Sequence, residues 1–415
     1  MSEKQRNFIK QKFTEYYKEN STRIQPPTSM GKREFGFMLF EEAIMVRHKG
    51  FESEADFRDF LVSLSPSDVY YSSAYYEKPE EPMEKKGWLG ADLIFDIDSD
   101  HIETPCKSKH DYWICDSCGG AGKGAPPKQC PQCGGGKFKK EAWLCETCLE
   151  AAKAETLKLV EFLIDDFGFP LEEVEICFSG QRGYHAHIPV SEVRQLDQAA
   201  RKEIVDYITG TGLMIESHGL RETGFGSTRE PIGPDLNDAG WDGRIARGVY
   251  GLLSSSTPQQ LEQLPGISKA TVKILTANRD FILERWDRRT PWGTVKGVGV
   301  KTWTQIVQHV IKSQTAVIDT VVTTDTHRLI RLPLTLHGKT GLMSMHVPVD
   351  SLERFDPLKE AIAFRKGTLK VYVNEAHQFR IGDEEYGPYD HETAVLPMAA
   401  AIYLICKRAA VPSEE

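Results

Sequence analysis

The sequence predicts an α+β fold, in which a discontinuous domain around a mixed β-sheet is interrupted by a cysteine-rich insertion and a mainly helical insertion. Three observations support this prediction: a half-buried strand pattern at LIFDID, a glycine-bounded hairpin pattern over 173–190, and helical spacing of apolar residues over 149–167. A chain of 415 residues is long enough for two or three domains. We assign 1–105, 149–229 and 313–415 to the discontinuous domain, 106–148 to the cysteine-rich insertion, and 230–312 to the helical insertion.

The N-terminal part combines predicted helix, a β-prone stretch and a loop. Residues 1–65 are predicted to be mostly helical, with breaks at the Pro26–Pro27 pair and at Gly31. The sequence VYYSSAYY at 69–76 is aromatic and β-prone, and 78–86 is a charged loop that contains proline. On this prediction the sheet begins after residue 65.

An acidic strand follows. Leu93, Phe95 and Ile97 alternate with Asp96 and Asp98, which is typical of a half-buried strand whose two carboxylates leave the same face. Two such carboxylates can bridge a pair of Mg²⁺ ions, because Mg²⁺ prefers oxygen ligands and shares its coordination shell with substrate phosphates. The alternative is that both acids lie on a solvated strand face without a metal.

The cysteine-rich insertion carries metal-ligand spacing. Seven of the nine cysteines lie between Cys106 and Cys148, which leaves Cys177 and Cys406 as packing residues. The candidate ligands are the pairs Cys115-x-x-Cys118, Cys130-x-x-Cys133 and Cys145-x-x-Cys148, with Cys106 and His110 as a fourth pair. Eight ligands suit two tetrahedral Zn²⁺ ions, and free thiols are the alternative.

A hairpin is predicted after the helix at 149–167, from strand EICFS, turn GQRG and strand YHAHIPV. Ser179 ends the first strand and His185 begins the second, with Arg182 in the turn. Exposed backbone N–H groups and these three side chains suit a triphosphate, and Gly180 and Gly183 allow an anion to approach the backbone. The alternative is an ordinary hairpin with a hydrogen-bonded histidine.

The C-terminal half returns to helix and then to strand. After a further helix at 193–208, residues 223–247 are predicted to be loop and 255–312 to be helical, with apolar positions interrupted by glycine in LPGISKATVKIL and VKGVGVKTWTQIV. LPGISKATV resembles the glycine turn of a helix-hairpin-helix DNA contact, although a plain helical insertion is the alternative. We find no long internal repeat. A β-prone tail and a helix around 394–407 complete the chain.

A further charged constellation lies in IDTVVTTDTHRLIRLPLTLHGKTGL. It offers Asp319 and Asp325 as acids, Arg328, Arg331 and Lys339 as cations, and His337 before a glycine. In a strand, the side chain of Arg331 would face opposite to its apolar neighbours and could reach a phosphate. The full spacing of a P-loop is absent, which excludes a P-loop ATPase.

Composition limits the class of protein. A net charge of −9 argues against a nonspecific coat for nucleic acid but allows a local basic groove. The chain has no apolar run of about 18 residues and no signal-peptide pattern at its start. We therefore expect a cytoplasmic protein without a membrane span.

Four stretches together resemble the small, catalytic subunit of archaeal and eukaryotic DNA primases. They are YYSSAYYEKP, GWLGADLIFDID, SGQRGYHAH and RLIRLPLTLHGKTGL, in this order and well separated. The resemblance covers most of the chain except the Gly/Cys insertion and residues 230–312, and it is greater to archaeal than to eukaryotic members. It implies the primase fold and template-directed synthesis of short primers from nucleoside triphosphates on single-stranded DNA.

The resemblance also implies roles for individual residues. The catalytic acids fall on Asp96, Asp98 and Asp319, which would hold two Mg²⁺ or Mn²⁺ ions. Asp319 is chosen over Asp325 because of its distance from the histidine that matches His337. The triphosphate contacts implied by the resemblance fall on Ser179, Arg182, His185, Arg331, His337 and Lys339. Gln181 stands where many relatives carry a second arginine, so this chain departs from the family pattern there.

For zinc, the resemblance implies that Cys106, His110, Cys145 and Cys148 form the family site. Cys115, Cys118, Cys130 and Cys133 would then form an inserted ribbon, and a pairing in chain order is the alternative. Either zinc would be structural, since neither ligand set leaves an open position.

The resemblance implies a heterodimer with the primase large subunit. Two other functions stay open at this point. One is a primase-polymerase of the same superfamily that acts in DNA repair or end joining, and the other is a noncatalytic zinc-ribbon protein that binds nucleic acid. A primase would start synthesis from two free nucleotides, whereas the primase-polymerase would only extend a supplied end. The zinc-ribbon protein would bind DNA whether or not Asp96 and Asp98 are present.

Overall fold

The computed structural model describes residues 1–40, 44–224, 230–286 and 291–413. Its contacts divide the chain into two units. Unit 1 consists of Met1–Leu157, Leu171–Lys202 and Val317–Glu415, and unit 2 of Lys158–Pro170 and Glu203–Ala316. Among the described residues, no helix has both the length and the apolar character needed to cross a membrane.

Strands occur throughout unit 1 and as one short pair in unit 2. They are β1 Phe35–Met38, β2 Met45–Lys49, β3 Asp68–Ser72, β4 Ala74–Tyr76, β5 Trp88–Ala91, β6 Leu93–Asp98, β7 Tyr112–Cys115, β8 Ala121–Lys123, β9 Phe138–Glu141, β10 Glu175–Phe178, β11 Gly183–Ile188, β12 Arg221–Thr223, β13 Glu230–Ile232, β14 Leu329–Arg331, β15 Met345–Val347, β16 Thr368–Ala376, β17 Phe379–Ile381, β18 Glu384–Tyr386, β19 Tyr389–Pro397 and β20 Ala410–Pro412.

The α-helices alternate irregularly with these strands, which confirms the α+β class. They are α1 Glu3–Asn20, α2 Glu54–Leu64, α3 Lys107–His110, α4 Glu146–Glu161, α5 Gln198–Thr209, α6 Gly240–Ser255, α7 Pro258–Glu262, α8 Lys269–Ala277, α9 Arg279–Glu284, α10 Val300–Gln314, α11 Thr320–Thr324, α12 Pro357–Glu360 and α13 Met398–Cys406.

Two four-stranded sheets of unit 1 carry the candidate site. One has the order β14-β3-β1-β2 and the other the order β15-β10-β11-β6. Every strand pair in the described residues is antiparallel, so the prediction that the sheet is mixed is wrong in this respect. Antiparallel neighbours need only tight turns, such as the one that joins β10 to β11, and need no long crossover.

The hydrophobic core of unit 1 includes a helix that is apolar on all sides. Seven consecutive residues of α13, from Ala400 to Cys406, are buried, and α13 packs against α1, β16 and β20. A helix buried all round belongs inside a core, because no side of it is polar enough to face water. Helix α13 therefore forms part of the hydrophobic core of unit 1, next to the sheet that contains β16 and β20.

Unit 2 is mainly helical and has its own core. Trp286, Trp292 and Trp303 are buried with successive ring centroids 5.4 and 5.0 Å apart, in edge-to-face geometry. The indole of Trp303 donates to the carbonyl oxygen of Trp292 at 2.9 Å, which satisfies its polar atom. Burial of these three large aromatic side chains stabilises the fold of the helical segment that contains them.

Several sequence predictions of local structure need correction. Residues 1–65 contain β1 and β2 between two helices, because Phe35 and Phe37 bury their rings in the sheet. The segment 223–247, predicted as loop, contains β13 and the start of α6, while 225–229 lie outside the described residues. The C-terminal helix begins only at Met398, since 389–397 extend β19 against β16.

Candidate active site

Strand β6 presents two acids at the edge of a sheet. Phe95 and Ile97 are buried, while Asp96 and Asp98 are partly exposed, so the alternation predicted from the sequence is confirmed. Among the strands that the structure describes, β6 pairs with β11 alone, which makes it one of the two edge strands of its sheet. Both carboxylates therefore leave one face of an edge strand, where other segments of the chain can approach them.

The hairpin strand β11 aligns a histidine with the first acid. His185 lies opposite Asp96 in the register, and its Nε2 is 3.3 Å from Oδ1 of Asp96. Gly183 lies opposite Asp98, and a Cβ at this position would lie 2.4 Å from the carbonyl oxygen of Ile97. Glycine is therefore required here, because any side chain would push β11 away from the acidic strand.

The two acids experience opposite electrostatic effects. Burial raises the pKa of Asp96, but the nearby His185, Arg328 and His101 outweigh it and leave this pKa below its ordinary value. The pKa of Asp98 is raised, first by burial and then by the neighbouring charge of Asp100. The neighbouring cations therefore outweigh burial at Asp96 but not at Asp98.

A third acid reaches this strand from far along the chain. Asp319 precedes α11 and donates its backbone N–H to the carbonyl oxygen of Asp96 at 2.8 Å. Its Oδ1 accepts from the N–H of Val321 at 3.0 Å, and its Oδ2 lies 3.8 Å from Nε2 of His101. The hydrogen bond that the backbone N–H of Val321 donates holds this N-cap carboxylate in place at the start of the short helix.

The three aspartates offer carboxylate oxygens that suit divalent cations, but their oxygen atoms are not tightly clustered. Among the described residues, the groups of three or more ligand atoms that lie within 4.8 Å of one another consist of cysteine and histidine, and the three aspartates are not among them. Carboxylate oxygens are the ligands that Mg²⁺ and Mn²⁺ take, and the backbone bond from Asp319 to Asp96 brings a third aspartate to the strand of Asp96 and Asp98.

Asp96 and Asp98 share a pocket of about 170 Å³ with cationic and polar side chains. Its lining also includes Tyr70, Ser179, Gln181, His185, Arg328, Arg331 and His337. Of the residues predicted from the sequence, the structure thus brings together the two strand acids, the hairpin serine and histidine, and the Arg331 and His337 pair. Asp319 does not line the pocket, although Val322 on the following turn does.

Arg331 is held by an acid that the sequence prediction missed. Its guanidinium NH1 donates to Oδ1 of Asp68 at 2.7 Å and its NH2 to the hydroxyl of Tyr70 at 3.0 Å. Burial raises the pKa of Asp68, but the charge of Arg331, with hydrogen bonds from Ser67 and Gly338, brings it down to about 2. A polar residue inside the β-prone run SDVYYS was the available signal, because a buried strand acid needs a cationic partner.

His337 is buried beside this pair as a neutral ring. Burial, and then the charge of Arg331, lower its pKa well below the ordinary value. The backbone N–H of Lys339 donates to its Nδ1 at 3.1 Å, so the ring proton resides on Nε2. Lys339 itself lines a neighbouring cavity of about 630 Å³ that also includes Arg331 and His337.

Arg182 does not line the pocket, contrary to the sequence prediction. It is 1% exposed, its NH1 donates to the two carboxylate oxygens of Asp111 at 2.9 and 3.0 Å, and its NH2 pairs with Asp100. The turn places the neighbouring Gln181 in the pocket instead. Arg182 therefore ties the hairpin turn to the segment that follows the acidic strand and to the cysteine-rich insertion.

The first cysteine-rich cluster consists of Cys106, His110, Cys145 and Cys148. The Sγ atoms of Cys106 and Cys148 are 3.5 Å apart, and Sγ of Cys148 is 3.6 Å from Nε2 of His110. His110 directs its Nδ1 to Asp111 at 2.7 Å, which leaves Nε2 for a metal. Since Asp111 also binds Arg182, one carboxylate connects this cluster to the hairpin turn.

The second cluster consists of Cys115, Cys118, Cys130 and Cys133. Its Sγ–Sγ distances of 3.6 Å and 3.7 Å are close to the roughly 3.8 Å that a tetrahedron with zinc–sulfur bonds of about 2.3 Å requires. Both clusters could hold zinc. The ligands are grouped as the resemblance implies, with the second set nested inside the first, and not in chain order.

The sequence is similar to those of known proteins over nearly its whole length. A family model described as DNA primase small subunit matches residues 128–351. The DNA primase small subunit PriS of Nitrosopumilus maritimus is 30% identical over 410 residues, covering 99% of both chains. The proteins of the same name from Methanococcoides burtonii and Cenarchaeum symbiosum are 33% and 32% identical and cover at least 98% of both chains.

The fold, the acidic strand and these matches define a DNA primase, a nucleotidyltransferase type of enzyme. Within this class, the chain belongs to the family of DNA primase small subunits.

Proposed function

We propose that this chain is a catalytic subunit that synthesises short primers from nucleoside triphosphates on a single-stranded DNA template. The observation that carries the proposal is the hydrogen bond from the N–H of Asp319 to the carbonyl oxygen of Asp96, which brings a third acid to the strand of Asp96 and Asp98. A cationic pocket lies directly beside this strand. Acids for metal and cations for phosphate are the two parts that nucleotidyl transfer needs.

The acids are proposed to hold Mg²⁺ or Mn²⁺. Asp96 and Asp98 act from the strand and Asp319 from the start of α11. When bound, such ions lower the pKa of the attacking 3′-hydroxyl and stabilise the leaving pyrophosphate. No covalent intermediate with the enzyme is required.

The cationic side chains bind the triphosphate of the incoming nucleotide. Arg331 presents a planar guanidinium whose orientation is set by Asp68 and Tyr70. His337 donates from Nε2, while Ser179 and His185 flank the hairpin turn and Lys339 adds charge from the neighbouring cavity. We leave Arg182 out of this set and add Arg328, which lines the pocket.

Both cysteine-rich clusters are proposed to hold structural Zn²⁺. Four protein ligands complete a tetrahedral shell in each case, so no position is left for a substrate. The cluster that contains His110 would also hold the hairpin turn in place. His110 is hydrogen-bonded to Asp111, and Asp111 accepts from Arg182 in that turn.

The finer aspects of the function are also proposals. We expect RNA primers and, where deoxynucleotides are accepted, DNA primers. We expect a heterodimer with a large primase subunit, since the matching relatives are named small subunits, and we expect it to act in the cytoplasm. Replication of DNA is the process that such primers serve.

The proposal is tested with a single-stranded template, labelled nucleotides and Mg²⁺ or Mn²⁺, with and without the large subunit. Asp96→Asn and Asp98→Asn should abolish incorporation while the thermal unfolding midpoint stays close to that of the wild type. Glu172→Gln serves as the matched control, because it removes an exposed acid outside the site. Full activity of the Asp96 and Asp98 variants would show that the assignment is wrong.

The same assay separates the alternatives. A primase starts a chain from two free nucleotides, whereas a primase-polymerase of repair or end joining extends a supplied end only. A noncatalytic zinc-ribbon protein predicts nucleic-acid binding without any incorporation. The acidic strand beside a cationic pocket favours an enzyme over that last alternative.

A further inference from the structure

Unit 2 contains an internal repeat that the sequence analysis did not detect. Residues 261–275 (repeat A) and 292–306 (repeat B) match at an offset of 31 residues. Every apolar anchor of repeat A is buried, as is its counterpart in repeat B. The matched pairs are Leu261 and Trp292, Leu264 and Val295, Ile267 and Val298, Val272 and Trp303, and Leu275 and Ile306. The sequence conceals this repeat because the side chains at matched positions differ in size.

Each repeat folds into a glycine hairpin followed by a helix. Gly266 and Gly297 occupy the left-handed region at φ +80° and φ +92°. They are followed by the N-cap residues Ser268 and Gly299, both in extended conformation, and by α8 and α10. Only glycine adopts such φ values without strain, so both hairpins have the same backbone requirement.

The two repeats pack against each other reciprocally. A Cβ on Gly266 would lie 2.5 Å from Nε2 of Gln305, and a Cβ on Gly297 would lie 3.2 Å from Cδ1 of Ile274. Ile274 and Gln305 are themselves 31 residues apart. Each hairpin thus contacts the helix of the other repeat at the equivalent position, which is the contact pattern of an approximate two-fold axis.

The hairpins expose hydrogen-bond donors. Gly266, Ser268, Gly297 and Gly299 are all exposed. Within the described part of the chain, their backbone N–H groups donate to no carbonyl oxygen. Unpaired N–H groups at such a turn favour an anion.

Positive charge accompanies these donors. The side chains of Lys269, Lys273, Lys296 and Lys301 are exposed and form no ion pair or hydrogen bond with the residues that the structure describes. Residues 257–312 contain nine Lys and Arg against four Asp and Glu, a net charge of +5 in a chain whose total is −9. The two-hairpin surface therefore offers both donors and free cations to a polyanion.

We propose that the two-hairpin surface binds a nucleic-acid duplex through the phosphates of both strands. The strands of a duplex are antiparallel and related by two-fold axes, so two equivalent hairpins can each meet one backbone, whereas a single strand offers no such pair. Because backbone N–H groups and lysines recognise phosphate alone, the binding is independent of sequence. Only the further identification of this duplex as the primer–template product rests on the proposed function.

The test replaces the two N-cap residues in the full chain by aspartate. Ser268→Asp keeps an N-capping side chain, and Gly299→Asp gains one in a position where a Cβ meets nothing within 4 Å. The double variant should fold as well as the wild type but place a negative charge where each phosphate would bind. Its affinity for a 20-base-pair duplex, measured by fluorescence anisotropy without nucleotides, should fall about tenfold or more.

The matched control is Gly299→Ser, which adds a neutral N-cap like that of the first repeat and should retain duplex affinity. A second variant, Lys269→Ala with Lys301→Ala, should weaken binding and reduce the slope of log affinity against log salt by about 2, one unit per lysine. Unchanged duplex affinity in both double variants with an intact thermal midpoint would overturn the proposal, as would binding of single-stranded DNA that is weakened to the same extent.

Failure of this proposal is distinguishable from failure of the proposed catalysis. Asp96→Asn should bind the duplex like the wild type, because Asp96 is in the acidic strand and not in the two-hairpin surface. The aspartate variants of the hairpins should retain incorporation at saturating template. Loss of duplex binding in Asp96→Asn would contradict the assignment of binding to unit 2.

Discussion

The backbone N–H of Asp319 donates to the carbonyl oxygen of Asp96 at 2.8 Å, although 223 residues separate them in the chain. This bond attaches the start of α11 to the free edge of β6. It therefore decides which of two nearby acids, Asp319 or Asp325, accompanies the acidic strand.

The first prediction concerns that choice. Asp319→Asn should lower nucleotide incorporation by about 100-fold or more, because it removes the charge of a proposed metal ligand while its amide oxygen can still cap α11. Asp325→Asn should retain activity, since Asp325 lies at the opposite end of α11 from the bond to Asp96, and its carboxylate accepts from the N–H of His327 at 2.9 Å. Single-turnover extension of a labelled primer measures both. Equal loss in the two variants would contradict the assignment.

The second prediction concerns the acid behind Arg331. Asp68→Asn removes the charge that orients the guanidinium, so the KM for the nucleoside triphosphate should rise about tenfold, and more than kcat falls. Tyr70→Phe is the control, because it removes a single neutral acceptor from the same guanidinium. Steady-state kinetics with varied nucleotide provide the measurement. A change in kcat alone would assign Asp68 to a different step.

The third prediction separates the two cysteine clusters. Metal analysis should find two zinc ions per chain, and Cys145→Ser or Cys133→Ser should each lose one. Cys145→Ser should reduce incorporation more strongly, because its cluster connects through His110, Asp111 and Arg182 to the hairpin turn. The measurement is nucleotide incorporation by the two variants, compared after metal analysis has shown that each has lost one zinc ion. Equal activity of the two would show that the connection is not used.

The fourth prediction concerns pH and a buried network at the start of the acidic strand. His187 places Nε2 2.9 Å from Asp92 and Nδ1 3.0 Å from Glu175, while Arg33 pairs with Asp92 at 2.6 Å. Tyr75 and Arg194 also face the Asp92 carboxylate. Burial lowers the pKa of His187, but the two carboxylates outweigh it and raise this pKa above its ordinary value.

A raised pKa in the folded state gives a definite sign. The stabilisation is complete below the unfolded pKa of about 6.5 and is lost as the pH rises through the folded value. The difference in urea midpoint between wild type and His187→Gln should therefore be larger at pH 6 than at pH 9. A difference that grows with rising pH would show that the folded pKa is not raised.

Local sequence patterns predicted the parts of the site that are built from neighbours in the chain. Alternation identified the acidic strand, the glycine-bounded turn identified the hairpin, and C-x-x-C spacing identified the metal ligands. These features depend on the period of a strand and the reach of a short turn, so they can be read over a few residues. The β1 and β2 strands were missed because their short segments, FGFM and MVRHK, do not show a strand period of their own.

What the sequence by itself determined is the residue chemistry and its local geometry: two acids on one strand face, cations after a distant aspartate, and eight cysteine and histidine residues with the spacing of zinc ligands. Only the tertiary structure decided that Arg182 turns away toward Asp111, that Asp68 holds Arg331, and that two hairpins in unit 2 pack reciprocally. The physical reason is that these contacts join residues far apart in the chain, where burial and the pairing of charges select partners that no short pattern contains.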